Sequence, residues 1–252
     1  MTDDGWQQNS SLIESLLSGF VEKKDDVDPQ YEPMLIANHD GRTMEYAIKD
    51  ELGRSQNFDM SVAFVSQGAL QTLKQNFLDF ADSNDHRSGR IITSTFNYFN
   101  SPKAFAELLK LQQETGIQVR IWQPGQTDET ENTADFPYHP KGYVFHHSDD
   151  DEPLYSTYIG SSNLTINALN SNREWNLRVA TTDTSGLAEQ LTAEINSQIS
   201  ESKPLTDAWL KLYEEDFKRY APPRRPNRRQ TQDAGTITPN AMQVEALMNL
   251  AQ

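Results

Sequence analysis

The residues best suited to chemistry fall within one run, 138–176. His139 and Lys141 sit two residues apart at the head of an apolar stretch, and on extended backbone that spacing turns both side chains to one side. An acidic turn, 149–152, separates this stretch from a second one, which ends in Gly160-Ser161-Ser162-Asn163. Glu174 follows at the start of a third candidate strand. A phosphodiester resists attack because its charge repels nucleophiles and its alkoxide leaves poorly. An imidazole that titrates near working pH can attack phosphorus or protonate the leaving oxygen. The Lys141 ammonium, the Asn163 amide and the hydroxyls and amides of Ser161 and Ser162 are suited to holding phosphoryl oxygens. Glu174 is placed to accept the second imidazole N–H and fix its tautomer, and Arg173 is a candidate lining residue. No Gly-x-Ser-x-Gly elbow surrounds Ser161, so a phosphate-contacting loop is favoured over a serine nucleophile.

Positioning such a set requires a sheet, and the chain spells one out. Apolar runs at 58–65, 90–94 and 117–122 read as strands, and each of the first two is followed by a helical pattern, over 68–80 and from 101 to about 114. Ser101-Pro102 marks a helix start, with serine capping and proline at the first helical position. Repeated β-then-α units predict an α/β domain: a mixed, largely parallel sheet flanked by helices on both faces. An amphipathic helix is expected over 8–24, a second helix around 41–52, and two more over 186–199 and 205–220. His146 and His147 read as strand-end surface residues, and Trp175 as a core residue. The domain plan is a helical segment (1–30), the main domain (31–221), a Pro/Arg-rich linker (222–236) and the start of a further domain (237–252).

Composition narrows the function classes. With no cysteine, disulfides, thiolate nucleophiles and Cys-ligated metals are excluded. The first residues are polar and acidic, unlike a signal peptide, and no apolar run approaches the roughly 20 residues needed to span a bilayer. The expected location is the cytoplasm. A formal charge of −15 argues against a surface that coats nucleic acid passively, while leaving room for a local positive cleft.

The motifs HPK, GSSNLT and NREWN resemble those of the phospholipase D superfamily, in the nuclease branch that includes NgoFVII-type restriction endonucleases. The wider frame, with SVAFVSQGAL and RIITSTFNYF, is similar to the phospholipase-D-like domain that precedes bacterial superfamily 2 helicases. The resemblance implies a phospholipase-D-like fold and a metal-independent DNA nuclease with no cofactor. His139 would form a phosphohistidine, Lys141 and Asn163 would bind phosphate, and Glu174 would orient a histidine. Since the superfamily uses two His-Lys sets per site and this chain has one, the resemblance implies a homodimer. The family's longer motif carries an aspartate where this chain has His146. The tail ITPNAMQVEALMNL resembles a helicase Q-motif region, with Gln243 as the adenine-reading glutamine; a helicase domain in cis, using ATP and magnesium, is implied for a longer protein. The company such helicases keep implies a role in antiviral defence. The rival reading is a catalytically silent module for dimerisation and DNA docking.

Overall fold

A computed structural model describes residues 3–82, 87–124, 137–149 and 152–222. Among them, eight strands form one sheet in the order β1-β7-β6-β5-β2-β3-β4-β8. The strands are β1 (Met34–Ile36), β2 (Asn57–Val62), β3 (Ser88–Thr93), β4 (Gln118–Trp122), β5 (Lys141–Asp149), β6 (Glu152–Gly160), β7 (Asn176–Thr182) and β8 (Ser202–Pro204). The helices are α1 (Asp3–Phe20), α2 (Met44–Arg54), α3 (Gln67–Ala81), α4 (Pro102–Thr115), α5 (Ile166–Asn170), α6 (Gly186–Ser200) and α7 (Asp207–Tyr220).

The sheet is mixed, and the expectation that it is largely parallel needs correction. Among the strands, parallel pairing is confined to β2-β3 and β3-β4, where α3 and α4 supply the crossovers that parallel strands need. The remaining pairs are antiparallel. For β5-β6-β7 the reason is connection length: Asp149 and Glu152, paired across β5 and β6, are three residues apart in the chain, and β6 returns into β7 through the short α5. The helices that flank the parallel strands start on side-chain caps: Ser66 accepts from Ala69 N–H and Ser101 from Ala104 N–H. Gly116 ends α4 with φ 74°, a left-handed conformation that favours glycine.

Two apolar layers hold the sheet. The larger one packs α2, α3, α4 and α7 against Phe58, Met60, Ile91, Ile121, Tyr143 and Phe145. The smaller one sets α6, through Ile195, Leu191 and Ile199, against Ala63, Ile92 and Val144. Helix α1 turns Leu12, Ser15 and Ser18 inward and leaves Ile13, Leu17 and Phe20 exposed, as is Val21 just after it. Ser15 Oγ donates to the Asp28 carbonyl, which ties the helix to the segment that follows it. The linker and the further domain, including Gln243, lie outside the described residues apart from Pro222.

One polar cluster is buried in the larger layer. The Glu51 carboxylate of α2, wholly inaccessible, accepts from Ser156 Oγ (2.7 Å) and Tyr158 OH (2.7 Å) on β6, and lies 2.7 Å from His147 Nε2 on β5. Arg54 adds an ion pair at 2.8 Å. His147 is therefore an interior residue with a partner, and its expected surface position is corrected: its place in β5 points it at α2, where a carboxylate waits. Burial alone would raise the Glu51 pKa; the bond from His147, the Arg54 charge and the Ser156 and Tyr158 hydroxyls outweigh it and hold the group at about 2.

A carboxylate depressed in the folded state stabilises the protein above its ordinary pKa of 4.5, and that contribution is lost as the pH falls towards about 2. Glu51→Gln is expected to cost roughly 3 kcal/mol in urea unfolding at pH 7. It should also flatten the loss of stability between those two pH values; an unchanged acid limb would contradict the assignment.

Candidate active site

The strand ends converge where the sequence places its chemistry. Val62 at the end of β2 pairs with Lys141 at the start of β5, Gly142 pairs with Ile159 on β6, and Gly160 pairs with Asn176 on β7. This is also the carboxyl end of the parallel strands β2, β3 and β4, the edge at which open α/β sheets take ligands.

His139 and Lys141 meet directly. Lys141 Nζ lies 2.8 Å from His139 Nδ1 and 3.2 Å from Nε2, and donates to the His139 carbonyl at 2.9 Å. An ammonium this close to the ring favours the neutral imidazole; burial and the Lys141 charge together push the His139 pKa below its ordinary 6.5. Burial lowers Lys141 from 10.5 to about 8, with the negative charge of Glu174 opposing that drop. The residue before the pair anchors it: Tyr138 is buried, donates to Gln198 Oε1 on α6 at 3.0 Å, and lies 2.8 Å from Ser61 Oγ on β2.

The Gly160–Asn163 loop brings the other groups alongside. A Cβ on Gly160 would stand 2.0 Å from the Trp175 carbonyl oxygen, so the close crossing of the β6 and β7 ends requires glycine there. Asn163 Oδ1 accepts from Phe64 N–H at 3.2 Å, which leaves its Nδ2 donor directed elsewhere. Glu174 accepts from Ser161 Oγ and from Asn172 Nδ2 (3.3 Å), and Ser161 Oγ in turn accepts from Trp175 N–H at 3.0 Å. Glu174 thus reaches the pair through its field on Lys141, while both His139 ring nitrogens face Lys141.

Several expected placements change. Ser162 is fully buried: its hydroxyl donates to the Ala168 carbonyl and accepts from Asn176 Nδ2, and its N–H donates to Asn176 Oδ1. It builds the loop and does not face a phosphate. Trp175 is 72% exposed, not core: it immediately precedes β7, and alternation along extended backbone turns it away from the buried Asn176. Arg173 is exposed and makes no described contact with the set. His146 sits on the far half of β5, where it pairs with Asn57 at the other end of β2. The position that holds the family's aspartate is thus remote from His139. A cavity of about 550 Å³ at that far end, lined by Asn57, Arg90 and His146, holds none of the expected residues.

Reading the sequence alone missed Tyr138, Asn176 and Phe64. Only the first carried a signal, as the residue adjoining the His-x-Lys pair. Phe64 stands edge-on to the His139 ring at 5.5 Å and beneath the Lys141 ammonium at 5.8 Å.

Residues 55–199, more than half of the chain, match the family model described as cardiolipin synthase, PLD-like domain. The chain belongs to the phospholipase-D-like family. Among solved structures, NucT from Helicobacter pylori is similar at 13% identity and a TM-score of 0.49, over 69% of this chain and 98% of its own. Nuc from Salmonella typhimurium, a phospholipase D family member, gives 15% and 0.45 over the same shares, 69% and 98%. Phosphatidylserine synthase from Haemophilus influenzae gives 18% and 0.45, over 75% of this chain and 45% of its own. No protein with a curated description matches.

The proximity of this phospholipase-D-like pair makes Lys141 a reporter of the site. Its amine is expected to titrate near 8 by NMR of ¹³C-methylated lysines, and lower still in Glu174→Gln, because the charge that supports the ammonium is removed. An ordinary value near 10.5 in the native chain would contradict the geometry.

Proposed function

We propose that the chain is a metal-independent phosphodiesterase acting on DNA through a phosphohistidine at His139, in a site shared between two copies. The observation that carries this reading is the contact of Lys141 Nζ with the His139 ring, 2.8 Å from Nδ1, beside Asn163 and Glu174. A phosphoryl oxygen held by Lys141 lies within reach of the imidazole, and the Asn163 Nδ2 donor is available to hold a second.

The reaction balances in two displacements. A ring nitrogen of neutral His139 attacks phosphorus; the N–P bond forms as the bond to the leaving oxygen breaks, and that oxygen takes a proton from the His139 imidazolium of the second copy. Water then attacks phosphorus and gives its proton back to that imidazole, and the N–P bond breaks. Both steps want an imidazole whose charge changes easily, and the depressed His139 pKa supports the neutral attacking form.

Support for a second copy comes from the surface. Leu35, Leu177 and Ile159 are aligned across β1, β7 and β6 by register and stand 52%, 41% and 52% exposed. With Trp175 they make an apolar stripe beside Glu174, of the kind that marks an interaction surface. The site in cis holds one His-Lys pair, so pairing across this end of the sheet would complete it. The helicase context, with ATP, magnesium and Gln243, rests on the resemblance of residues 237–252 alone, and a defence role rests on that context. The silent docking module is favoured by the charge of −15 and by His146 in place of the motif aspartate.

His139→Ala is expected to lower cleavage of DNA by at least about 10³-fold with the fold intact, since it removes the nucleophile. The native rate should survive EDTA. Cleavage by His139→Ala at the native rate would overturn the role of His139, and no cleavage by the native chain would overturn the reading in favour of the docking module. Leu177→Glu is expected to convert the dimer to monomer in sedimentation and to lose activity with it. Full activity from a monomer would overturn the shared site.

A further inference from the structure

Three phenylalanines stand in line beside the His139–Lys141 pair. Phe64 is in edge contact with the imidazole at 5.5 Å. Phe99 packs on Phe64 with ring centroids 4.6 Å apart, and Phe96 lies 6.3 Å beyond Phe99. All three are partly exposed. They come from two segments, the end of β2 and the turn after β3, and both are held more firmly than surface loops require.

The Asn100 side chain, buried, joins the two segments. Its Oδ1 accepts from Val65 N–H at 2.7 Å, and its Nδ2 donates to the Ala63 carbonyl at 3.0 Å and the Ser94 carbonyl at 2.8 Å. Its own carbonyl accepts from Tyr213 OH at 2.6 Å. The residues on either side of Phe64 are thereby fixed to the turn that carries Phe96 and Phe99. Within that turn Asn97 and Tyr98 have φ of 49° and 53°. Asn visits such backbone readily, whereas a tyrosine there is uncommon and is held by its surroundings, and such strain clusters at functional sites. On its other side, Phe64 N–H is bound by Asn163, the residue placed to hold phosphate. Aromatic wall and phosphate set are thus one hydrogen-bonded unit.

We propose that this wall stacks an unpaired nucleobase next to the scissile phosphate, so that the site takes single-stranded rather than duplex nucleic acid; this rests on the phosphodiesterase reading above. A phosphate held at Lys141 and Asn163 brings its flanking bases to within one nucleotide of the pair, where the rings stand. In a duplex the base faces are covered by their neighbours, and a wall of phenylalanines has nothing to meet. Stacking is also tolerant of sequence, and it supplies affinity that a chain of net charge −15 cannot draw from bulk attraction to phosphates. A lipid phosphodiester fits less well, since a bilayer would ask for a broad apolar face ringed by basic residues.

The test uses three labelled strands of equal length: single-stranded oligothymidylate, the same backbone with abasic sugars, and a duplex. Binding is read by fluorescence anisotropy in the His139→Ala background, which leaves the strand uncut. The base-bearing single strand is expected to bind about 10-fold or more tightly than either competitor, the usual effect of one stacked base. Phe96→Ala should erase that preference, leaving abasic binding and the thermal midpoint unchanged; Phe64→Leu is the second variant should Phe96→Ala misfold. Equal affinity for base-bearing and abasic strands would overturn the proposal. So would a preference that survives both variants, or binding of phosphatidylglycerol vesicles that Phe96→Ala abolishes. The two readings fail separately. Base-selective binding by a native chain that cuts nothing strikes the phosphodiesterase and leaves the wall. Cutting of base-bearing and abasic strands at one rate, with equal binding, strikes the wall alone.

Discussion

The Glu51 carboxylate takes bonds from Ser156 and Tyr158 on β6 and contacts His147 on β5, so one buried charge spans the two strands that end in the site. Side chains alternate along a strand, and a slip of one residue between β5 and β6 would turn His147 away from α2 and move Lys141 to the opposite face. A buried carboxylate cannot tolerate the loss of its partners, so the slipped registers are penalised where the chemistry is not. At the other end of the same strands, Gly160 permits the crossing that seats Ser161 beside Glu174. The architecture separates a pinned end from a working end.

The working end shows why His139 and Lys141 differ in behaviour from ordinary surface groups. His139 and Lys141 face each other; partial burial disfavours the charged form of both, and the Lys141 charge adds to the drop at His139. Glu174 supports Lys141 without binding it, because its oxygens are taken by Ser161 and Asn172. An incoming phosphate would bring the negative charge that the pair lacks. The anchoring of Tyr138 on Gln198 and of Asn163 on Phe64 keeps those groups placed before a substrate arrives.

Much of this was legible in the sequence. Alternating patterns located β2, α3, β3, α4 and β4 to within a few residues, and the Ser101-Pro102 start of α4 was read from its capping chemistry alone. The His139, Lys141, Asn163 and Glu174 set was visible as motifs, and the structure gathers those residues at adjoining strand ends. Register was not legible. Whether Ser162 and His147 point in or out depends on partners, Asn176 and Glu51, that are distant in the chain and carry no local periodicity. The short strands β1 and β8 have three residues each, too few to show alternation. Sheet direction followed from connection lengths that the apolar pattern does not encode.

The claim that His139 attacks phosphorus itself has a direct stereochemical test. A phosphorothioate diester of known configuration, cleaved in ¹⁸O-labelled water, passes through two inversions if a phosphohistidine forms and one if water attacks alone. Net retention of configuration at phosphorus is the predicted result. Net inversion would contradict the account.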